Sequence, residues 1–135
     1  MLSNGPGDPK DCKGIIREIA KLYDYGMPTF AICLGHQLMA LSQGGDTERM
    51  KYGHRGANHP VKFLEEDRSY ISSQNHGYMS SRGLPRNAEV NCVNVNDGTV
   101  EASSTTESRF SPFSSIRRLP PAHMIHRFCS TSLSA

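Results

Sequence analysis

A cysteine at position 33 lies where a thiol can act as a nucleophile. It follows the apolar run 30–32 and precedes Leu34 and Gly35, a pattern that predicts a strand, a tight turn and a helix. In a nucleophile elbow, small neighbouring residues allow a strained turn that lifts the nucleophile clear of the backbone. The unpaired N–H groups and the dipole of the following helix favour the thiolate. Cys33 is therefore a candidate nucleophile, and the alternative is a buried structural cysteine.

Two other segments have groups that suit a small polar ligand. Residues 4–7, Asn-Gly-Pro-Gly, form a glycine-rich loop whose backbone N–H groups can donate to an oxyanion. Residues 74–78, Gln-Asn-His-Gly-Tyr, offer amide, backbone and aromatic groups. A third dense polar run covers residues 53–60. Together, these segments favour a nucleophilic role of Cys33 over a structural one.

The elements that must position these residues can be read from hydrophobic spacing. Apolar residues recur at helical spacing over 10–25, where Asp8 and Pro9 can start a helix and Gly26 can end it. Residues 28–32 are typical of a buried parallel strand, and 36–42 of a second helix. This order predicts an α/β domain with a mostly parallel sheet and flanking helices. Beyond about residue 50, glycine, asparagine and proline turns at 53–60, 75–77 and 96–98 are expected to separate short extended pieces near 60–64, 69–73 and 89–95.

Length and composition limit the class of protein. The chain has 135 residues, of which 36% are hydrophobic and 21% are charged, values typical of one soluble globular domain. No apolar run approaches the roughly 20 residues that cross a bilayer, and the first residues have no signal-peptide pattern. The four cysteines have no disulfide-like spacing. We therefore expect a cytoplasmic protein with reduced thiols and no membrane partner.

Residues 102–135 differ from the rest of the chain. They contain nine serines, three threonines and no glycine, and they include four arginines but only one acidic residue, Glu107. The net charge of +2 thus comes from this segment and does not indicate nucleic-acid binding. The composition predicts a poorly ordered tail that packs little against residues 1–101.

Five segments carry a resemblance to a known family. In chain order they read LSNGPGDP (2–9), ICLGHQLMAL (32–41), KYGHRGANHPVK (51–62), SQNHGY (73–78) and VNVNDGTVE (93–101). Residues 1–101 resemble the glutaminase domain of the small subunit of carbamoyl-phosphate synthetase, a class I glutamine amidotransferase. The motif CLGHQ fits several amidotransferases of this class, whereas GHRGANHPVK and NDGTVE narrow the resemblance to the carbamoyl-phosphate enzymes. The resemblance implies a partial domain of flavodoxin-like fold.

The resemblance also implies roles for individual residues. Cys33 matches the nucleophile that forms a γ-glutamyl thioester, and Gly7 and the backbone N–H of Leu34 match the donors to the oxyanion. The implied substrate is glutamine, and the implied partner is a large synthetase subunit that alone uses ATP and Mg²⁺, in arginine or pyrimidine biosynthesis. The glutaminase step needs no cofactor or metal. The residues matching the substrate-binding groups are Gly5, Gly7, Leu34, Gln37, Asn75, Gly77 and Tyr78.

Two departures from the family pattern concern the nucleophile and its base. Ala31 stands where the family usually has Gly, and it is small enough for the turn. The family's His-Pro-Glu motif, which supplies the base and its orienting carboxylate, is absent. None of the six histidines is a credible substitute; His36 is expected to be a helix residue pointing away from Cys33. The six are His36, His54, His59, His76, His123 and His126.

A change of reading frame can account for the missing motif. Back-translated with freely chosen codons and read from the third base, residues 114–119 spell Phe-His-Pro-Glu-Ala. We infer a frameshift near residues 101–102, which makes 102–135 a non-homologous tail, and an incomplete N-terminal side of the domain. The chain is then either a glutaminase module with little activity alone or a non-catalytic fragment retaining part of a glutamine pocket. A metal or redox site of cysteine and histidine is less favoured, because no C-x-x-C motif is present.

Overall fold

The computed structural model describes residues 1–27, 29–80, 88–105 and 110–113, and only the backbone of 104, 105 and 110–113. Two helices accompany one six-stranded sheet of order β1-β6-β5-β4-β2-β3. No helix in these ranges is long and apolar enough to cross a membrane. The helices are α1 (Lys13–Asp24) and α2 (Leu34–Ser42), and the strands are β1 (Thr29–Ile32), β2 (Thr47–Phe63), β3 (Arg68–Ser80), β4 (Ala88–Asn94), β5 (Val100–Thr105) and β6 (Phe110–Phe113).

The first predicted helix is confirmed, with a break near its start. A short 3₁₀ helix, Pro9–Asp11, precedes α1, and the Asp8 side chain caps it by accepting from the Lys10 backbone N–H at 2.9 Å. The amide of Gly26 donates to the Tyr23 carbonyl just past the end of α1. Proline at the start and glycine at the stop therefore act as the sequence predicts.

The predicted strand and second helix flank Cys33. β1 occupies 29–32 of the predicted 28–32, and Pro28 lies outside the described residues. α2 begins at Leu34, two residues earlier than predicted, and ends as predicted with Gly44 at φ +80°. We call residues 1–46 the helical half. Its apolar core joins α1, α2 and β1 through Ile19, Ala31, Leu38 and Met39.

The α/β class is confirmed, but the described sheet is mixed rather than mostly parallel. β1 runs parallel to β6, and Leu2 forms a parallel bridge with Ala31. The pairs β2–β3, β2–β4, β4–β5 and β5–β6 are antiparallel. Short turns at 64–67 and 95–99 connect β2 to β3 and β4 to β5, and connections of this length permit only antiparallel pairing.

The region from 47 to 105, the hairpin half, contains longer strands than the sequence predicts. The pieces expected near 60–64, 69–73 and 89–95 fall at the end of β2, in β3 and in β4. The turns expected over 53–60 and 75–77 instead lie within β2 and β3. Register irregularities in β2 occur beside Gly53 (φ +72°) and Gly56 (φ +147°), so these glycines bend a strand rather than end it.

The predicted boundary at 101–102 falls inside β5, and most of the tail that is expected to pack poorly lies outside the described residues. Ala102 and Ser103 are buried, and Ala102 joins the core of the hairpin half with Val61, Phe63 and Cys92. Residues 110–113 form β6 between β1 and β5. A small alanine fits between larger core residues, and threonine is compatible with strands. Residues 106–109 and 114–135 lie outside the described residues.

Candidate functional site

Cys33 occupies the turn between β1 and α2, as the sequence predicts. Its backbone has φ +51° and ψ −109°, a left-handed conformation that costs a non-glycine residue on the order of 1–3 kcal/mol. The glycine two residues later allows the helix to approach the N-terminal segment. A Cβ on Gly35 would lie 2.7 Å from the Leu2 Cβ and 2.8 Å from the Leu2 carbonyl oxygen. Close packing of the backbone therefore holds Cys33 in this strained turn.

The loop of residues 4–8 forms the wall of the site next to Cys33. The parallel bridge sets its position, since the Leu2 amide donates to the Phe30 carbonyl at 2.7 Å and the Ile32 amide to the Leu2 carbonyl at 3.0 Å. The loop then leaves the sheet at the same edge at which β1 ends. Gly7 has φ +105°, and a Cβ on Gly5 would lie 2.9 Å from the Leu34 Cδ2. The backbone of Gly7 thus favours glycine, whereas a side chain at Gly5 would have to displace the end of the Leu34 side chain.

The opposite wall comes from β3. Gln37 in α2 donates its side-chain N–H to the Tyr78 carbonyl at 2.8 Å, which ties the helix behind Cys33 to this strand. The phenol of Tyr78 forms a hydrogen bond with Asp8, and partial desolvation together with this bond raises the pKa of the phenol. The Asp8–Tyr78 hydrogen bond therefore connects the two walls across the cleft.

The cleft between these walls has a volume of about 740 Å³. The side chain of Leu34 packs into the apolar core of the helical half instead, while its backbone opens α2. The structure thus gathers every predicted site residue except the Leu34 side chain around one cavity, and their roles stay predictions. The lining residues are Asn4, Gly5, Pro6, Gly7, Asp8, Ile32, Cys33, Gln37, Arg49, Arg55, Asn75, His76, Gly77 and Tyr78.

Two described histidines lie close to this site without offering a base. His36 is fully buried in α2, its Nε2 lies 3.2 Å from the Ser103 hydroxyl, and burial lowers its pKa to about 4. It does not line the cleft, in agreement with its predicted direction. His76 does line the cleft, but its Nδ1 donates to the Tyr78 carbonyl at 2.8 Å and its Nε2 faces Gln74 Oε1 at 3.4 Å.

The sequence interpretation missed two groups of residues. One is a set of charged side chains on the cleft wall, Asp8, Arg49 and Arg55. The other is a buried polar cluster behind the 74–78 segment, which includes His54 and Glu101. No motif within one segment signals this cluster, because its members come from separate strands.

Comparison with known proteins agrees with this geometry. Residues 1–113 match the family model described as glutamine amidotransferase class-I. This chain belongs to the class-I glutamine amidotransferase family. The match includes β5 and β6 and ends before residue 114, so it extends past the boundary predicted at 101–102.

Curated relatives of this amidotransferase chain are more specific. It is 52% identical over 107 residues to the carbamoyl phosphate synthase small chain of Clostridium perfringens, covering 79% of this chain and 30% of that protein. It is 48% identical over 112 residues to the corresponding chain of Methanopyrus kandleri, covering 80% of this chain and 30% of the relative. The chain thus spans about a third of the length of these relatives.

Solved structures support the fold at lower identity. A provisionally assigned GMP synthase component from Thermoplasma acidophilum superposes with a TM-score of 0.81 at 17% identity, covering 98% of this chain and 71% of that one. A glutamine amidotransferase from Thermotoga maritima gives a TM-score of 0.69 at 18% identity, covering 83% and 52%. These similarities concern the fold alone.

Proposed function

We propose that this amidotransferase chain is the glutamine-hydrolysing part of a carbamoyl-phosphate synthase small chain, with Cys33 as its nucleophile. The observation that carries the proposal is the strained position of Cys33 between β1 and α2, at the edge of the cleft. Cys33 is the N-cap residue of α2, and a helix N-terminus favours the thiolate. The similarity to carbamoyl phosphate synthase small chains supports this assignment over other members of the family.

The proposed reaction proceeds through a thioester. The Cys33 thiolate attacks the side-chain carboxamide carbon of glutamine, an S–C bond forms, and the carbonyl oxygen becomes an oxyanion. The backbone N–H groups of Gly7 and Leu34 donate to that oxyanion. The C–N bond then breaks as the leaving nitrogen takes a proton and departs as ammonia. Water hydrolyses the thioester, which yields glutamate and restores the thiol.

The cleft has groups for the remainder of the substrate. We assign Gly5, Gln37, Asn75, Gly77 and Tyr78 to the binding of glutamine. The charged residues of the wall complement the zwitterionic end of an amino acid, with Asp8 suited to the ammonium group and Arg49 and Arg55 to the carboxylate. A cleft lined by both charges favours a free amino acid over an apolar ligand.

The reaction needs a proton donor for the departing ammonia, and the sequence contains no His-Pro-Glu motif. General acid–base catalysis contributes about 10²–10⁴-fold, and one missing member of a cooperating set can cost more. We therefore propose that this chain acylates Cys33 slowly and turns over very little. The second candidate function, a non-catalytic fragment with part of a glutamine pocket, predicts binding without acylation.

The partner and location follow from the same proposal. Ammonia released at Cys33 would pass to a large synthetase subunit, which would hold the ATP and Mg²⁺, in the cytoplasm. The glutaminase step itself would use no cofactor. We also propose that the reading frame changes near residues 101–102, and sequencing the gene across codons 98–112 tests this directly.

The decisive experiment separates acylation from turnover. The full chain is incubated with radiolabelled glutamine, quenched in acid and assayed for label bound to protein and for glutamate released. We expect label on Cys33 at up to one equivalent and almost no steady-state release. The matched form carries the shifted-frame tail and the family's N-terminal region, and it should release glutamate at least a hundredfold faster.

Each outcome has a distinct meaning. Binding of glutamine without label on Cys33 would favour the non-catalytic fragment. Label on the protein that survives in a Cys33→Ser variant would refute the assignment of the nucleophile. Equal glutamate release by the two forms would refute the proposed need for His-Pro-Glu.

A further inference from the structure

The buried cluster behind the cleft consists of three side chains from three strands. His54 in β2, His76 in β3 and Glu101 in β5 are each buried, and one potential ligand atom from each lies within 4.8 Å of the others. Glu101 Oε1 lies 3.2 Å from His54 Nδ1, and Glu101 Oε2 lies 3.8 Å from His76 Nε2. The cluster is distinct from Cys33 and from the groups assigned to glutamine.

Hydrogen bonds fix which ring nitrogen of each histidine faces the centre. His54 Nε2 lies 2.7 Å from Asp97 Oδ2, and an ionised carboxylate only accepts, so this nitrogen carries the proton. His76 Nδ1 lies 2.8 Å from the Tyr78 carbonyl oxygen, which also only accepts. In neutral imidazoles, the opposite nitrogens, His54 Nδ1 and His76 Nε2, therefore direct lone pairs toward Glu101.

The neighbouring amides are oriented as well. Gln74 donates through Nε2 to the Ser72 hydroxyl at 3.0 Å, which turns its Oε1 toward His76 Nε2 at 3.4 Å. Asn94 accepts through Oδ1 from the Asn96 amide at 2.9 Å, and its Nδ2 lies 3.4 Å from Glu101 Oε1. The Thr99 hydroxyl donates to Glu101 Oε1 at 3.3 Å, and Asn94 Nδ2 lies 3.5 Å from His54 Nδ1. Alongside these donors, two imidazole lone pairs, a carboxylate and an amide oxygen converge on a small volume, a set of atoms that one cation can share.

Two positive centres can satisfy these atoms: a proton on a histidine, or a metal cation. A proton resides on one ring nitrogen, whereas a metal ion can bind both inward-facing nitrogens and the carboxylate together. Two imidazoles and one carboxylate form a ligand set that suits divalent first-row metals such as Zn²⁺. Ligating histidines usually donate their other N–H to a carboxylate or a carbonyl, as His54 does to Asp97 and His76 to Tyr78.

We propose that His54, His76 and Glu101 form a binding site for a divalent transition-metal ion of the Zn²⁺ class, beneath the glutamine cleft. Ligand atoms around tetrahedral Zn²⁺ lie roughly 3.4 Å apart, and Glu101 oxygens lie 3.2 Å from His54 Nδ1 and 3.8 Å from His76 Nε2. His76 also lines the cleft, which provides a path of entry. The ion would tie β2, β3 and β5 together and fix the 74–78 wall.

Direct metal titration tests the site on the full chain without glutamine, so the result does not depend on the proposed function. The purified chain is stripped with a chelator, titrated with Co²⁺ followed by its visible absorption, and then challenged with Zn²⁺. We expect one equivalent of Co²⁺ with a tetrahedral, thiolate-free spectrum, displacement by Zn²⁺, and a rise in Tm on binding. Failure of the unmodified chain to bind one equivalent of either metal would overturn the proposal.

Variants locate the bound ion. Glu101→Gln keeps the side-chain size and should weaken binding at least a hundredfold, and Asp97→Asn should weaken it about 10–100-fold through His54. His59→Gln is the matched control, because its ring lies 5.0 Å from that of His54 but is not in the ligand set. His123→Ala/His126→Ala tests for an adventitious pair of histidines. Loss of metal binding in either control would refute the assignment, and so would binding retained in both Asp97→Asn and Glu101→Gln. If Glu101→Gln does not fold, the Co²⁺ spectrum of the unmodified chain identifies the ligand class instead.

Discussion

The two walls of the cleft are held by different forces. In the helical half, apolar packing of α1 and α2 and a close backbone approach at Gly35 position Cys33. In the hairpin half, buried polar groups linked by hydrogen bonds support the wall formed by 74–78. Apolar burial is non-directional, whereas hydrogen bonds fix distances and depend on protonation. The nucleophile thus rests on packing, and its substrate wall on a network sensitive to charge.

The largest effect should follow from removing the nucleophile. Cys33→Ser should abolish labelling by a glutamine analogue that carries an electrophilic carbon at the carboxamide position, since a serine hydroxyl in this turn has no comparable anion. Intact-mass spectrometry measures the adduct. Cys12→Ser, which changes a partly buried thiol in the helical half, is the control and should label like the parent chain. If Cys33→Ser were labelled at another cysteine instead, the proposal that the turn makes Cys33 reactive would be contradicted.

A second thiol contrasts the two halves directly. Cys92 is fully buried in the core of the hairpin half, and burial raises its pKa from 9.0 to about 12. Its thiolate fraction near neutral pH should therefore be about a thousandfold below that of an ordinary thiol. We expect iodoacetamide to modify Cys33 in the native chain and Cys92 only after denaturation, as read by peptide mass spectrometry. Equal rates at both positions in the native state would contradict the buried core.

Acid should destabilise the contact between the halves at His36. Its pKa falls from 6.5 in the unfolded chain to about 4 in the fold, so between these values only the unfolded chain binds the proton. Stability is therefore complete above pH 6.5 and declines as the pH falls toward 4, by roughly 3 kcal/mol in all. Urea unfolding at several pH values measures this loss.

A variant assigns that loss to one residue. His36→Gln should show a shallower decline between pH 6.5 and 4, and His76, whose pKa burial also lowers, accounts for part of the remainder. His59→Gln serves as the matched control and should keep the parent slope. If His36→Gln and the parent chain declined equally, protonation of His36 would not be the cause.

The smallest effects should come from paired glycine substitutions in the helical half. Gly35→Ala places a Cβ against Leu2 backbone and side-chain atoms and should lower the free energy of unfolding by about 1–3 kcal/mol. Gly14→Ala in α1 meets nothing within 4 Å and should raise it by up to about 1 kcal/mol. Urea denaturation measures both variants. A neutral Gly35→Ala would show that α2 and Leu2 can separate without cost.

Local signals predicted most of the helical half. The turn at Cys33, the end of α2 and the 3₁₀ start at Asp8 each depend on neighbouring residues, and these positions were correctly predicted. A single β-bridge between Leu2 and Ala31 brings loop 4–8 close to Cys33. From the sequence, only the family resemblance predicted that this loop lies beside Cys33.

Non-local pairing explains what the sequence did not predict. Glycine, asparagine and proline in 53–60 are turn formers, but pairing with β3 keeps the segment extended and turns Gly53 and Gly56 into points of irregularity. The cluster of His54, His76 and Glu101 requires three strands in register. The spacing of residues within one segment does not indicate contacts between three separate strands. Buried polar clusters of this kind are therefore identified only from the three-dimensional structure.

The parallel pairing of β1 with β6 has a consequence for the order of folding. Its partners lie 81 positions apart in sequence, Thr29 beside Phe110 and Ile32 beside Phe113. Closing so long a loop carries a large entropic cost, and contacts distant in sequence form slowly. The β2–β3 hairpin, joined by a tight turn, can form much earlier. We expect the strand that ends at Cys33 to gain its neighbour late in refolding, so that a nascent chain displays the substrate wall before the nucleophile's strand is paired.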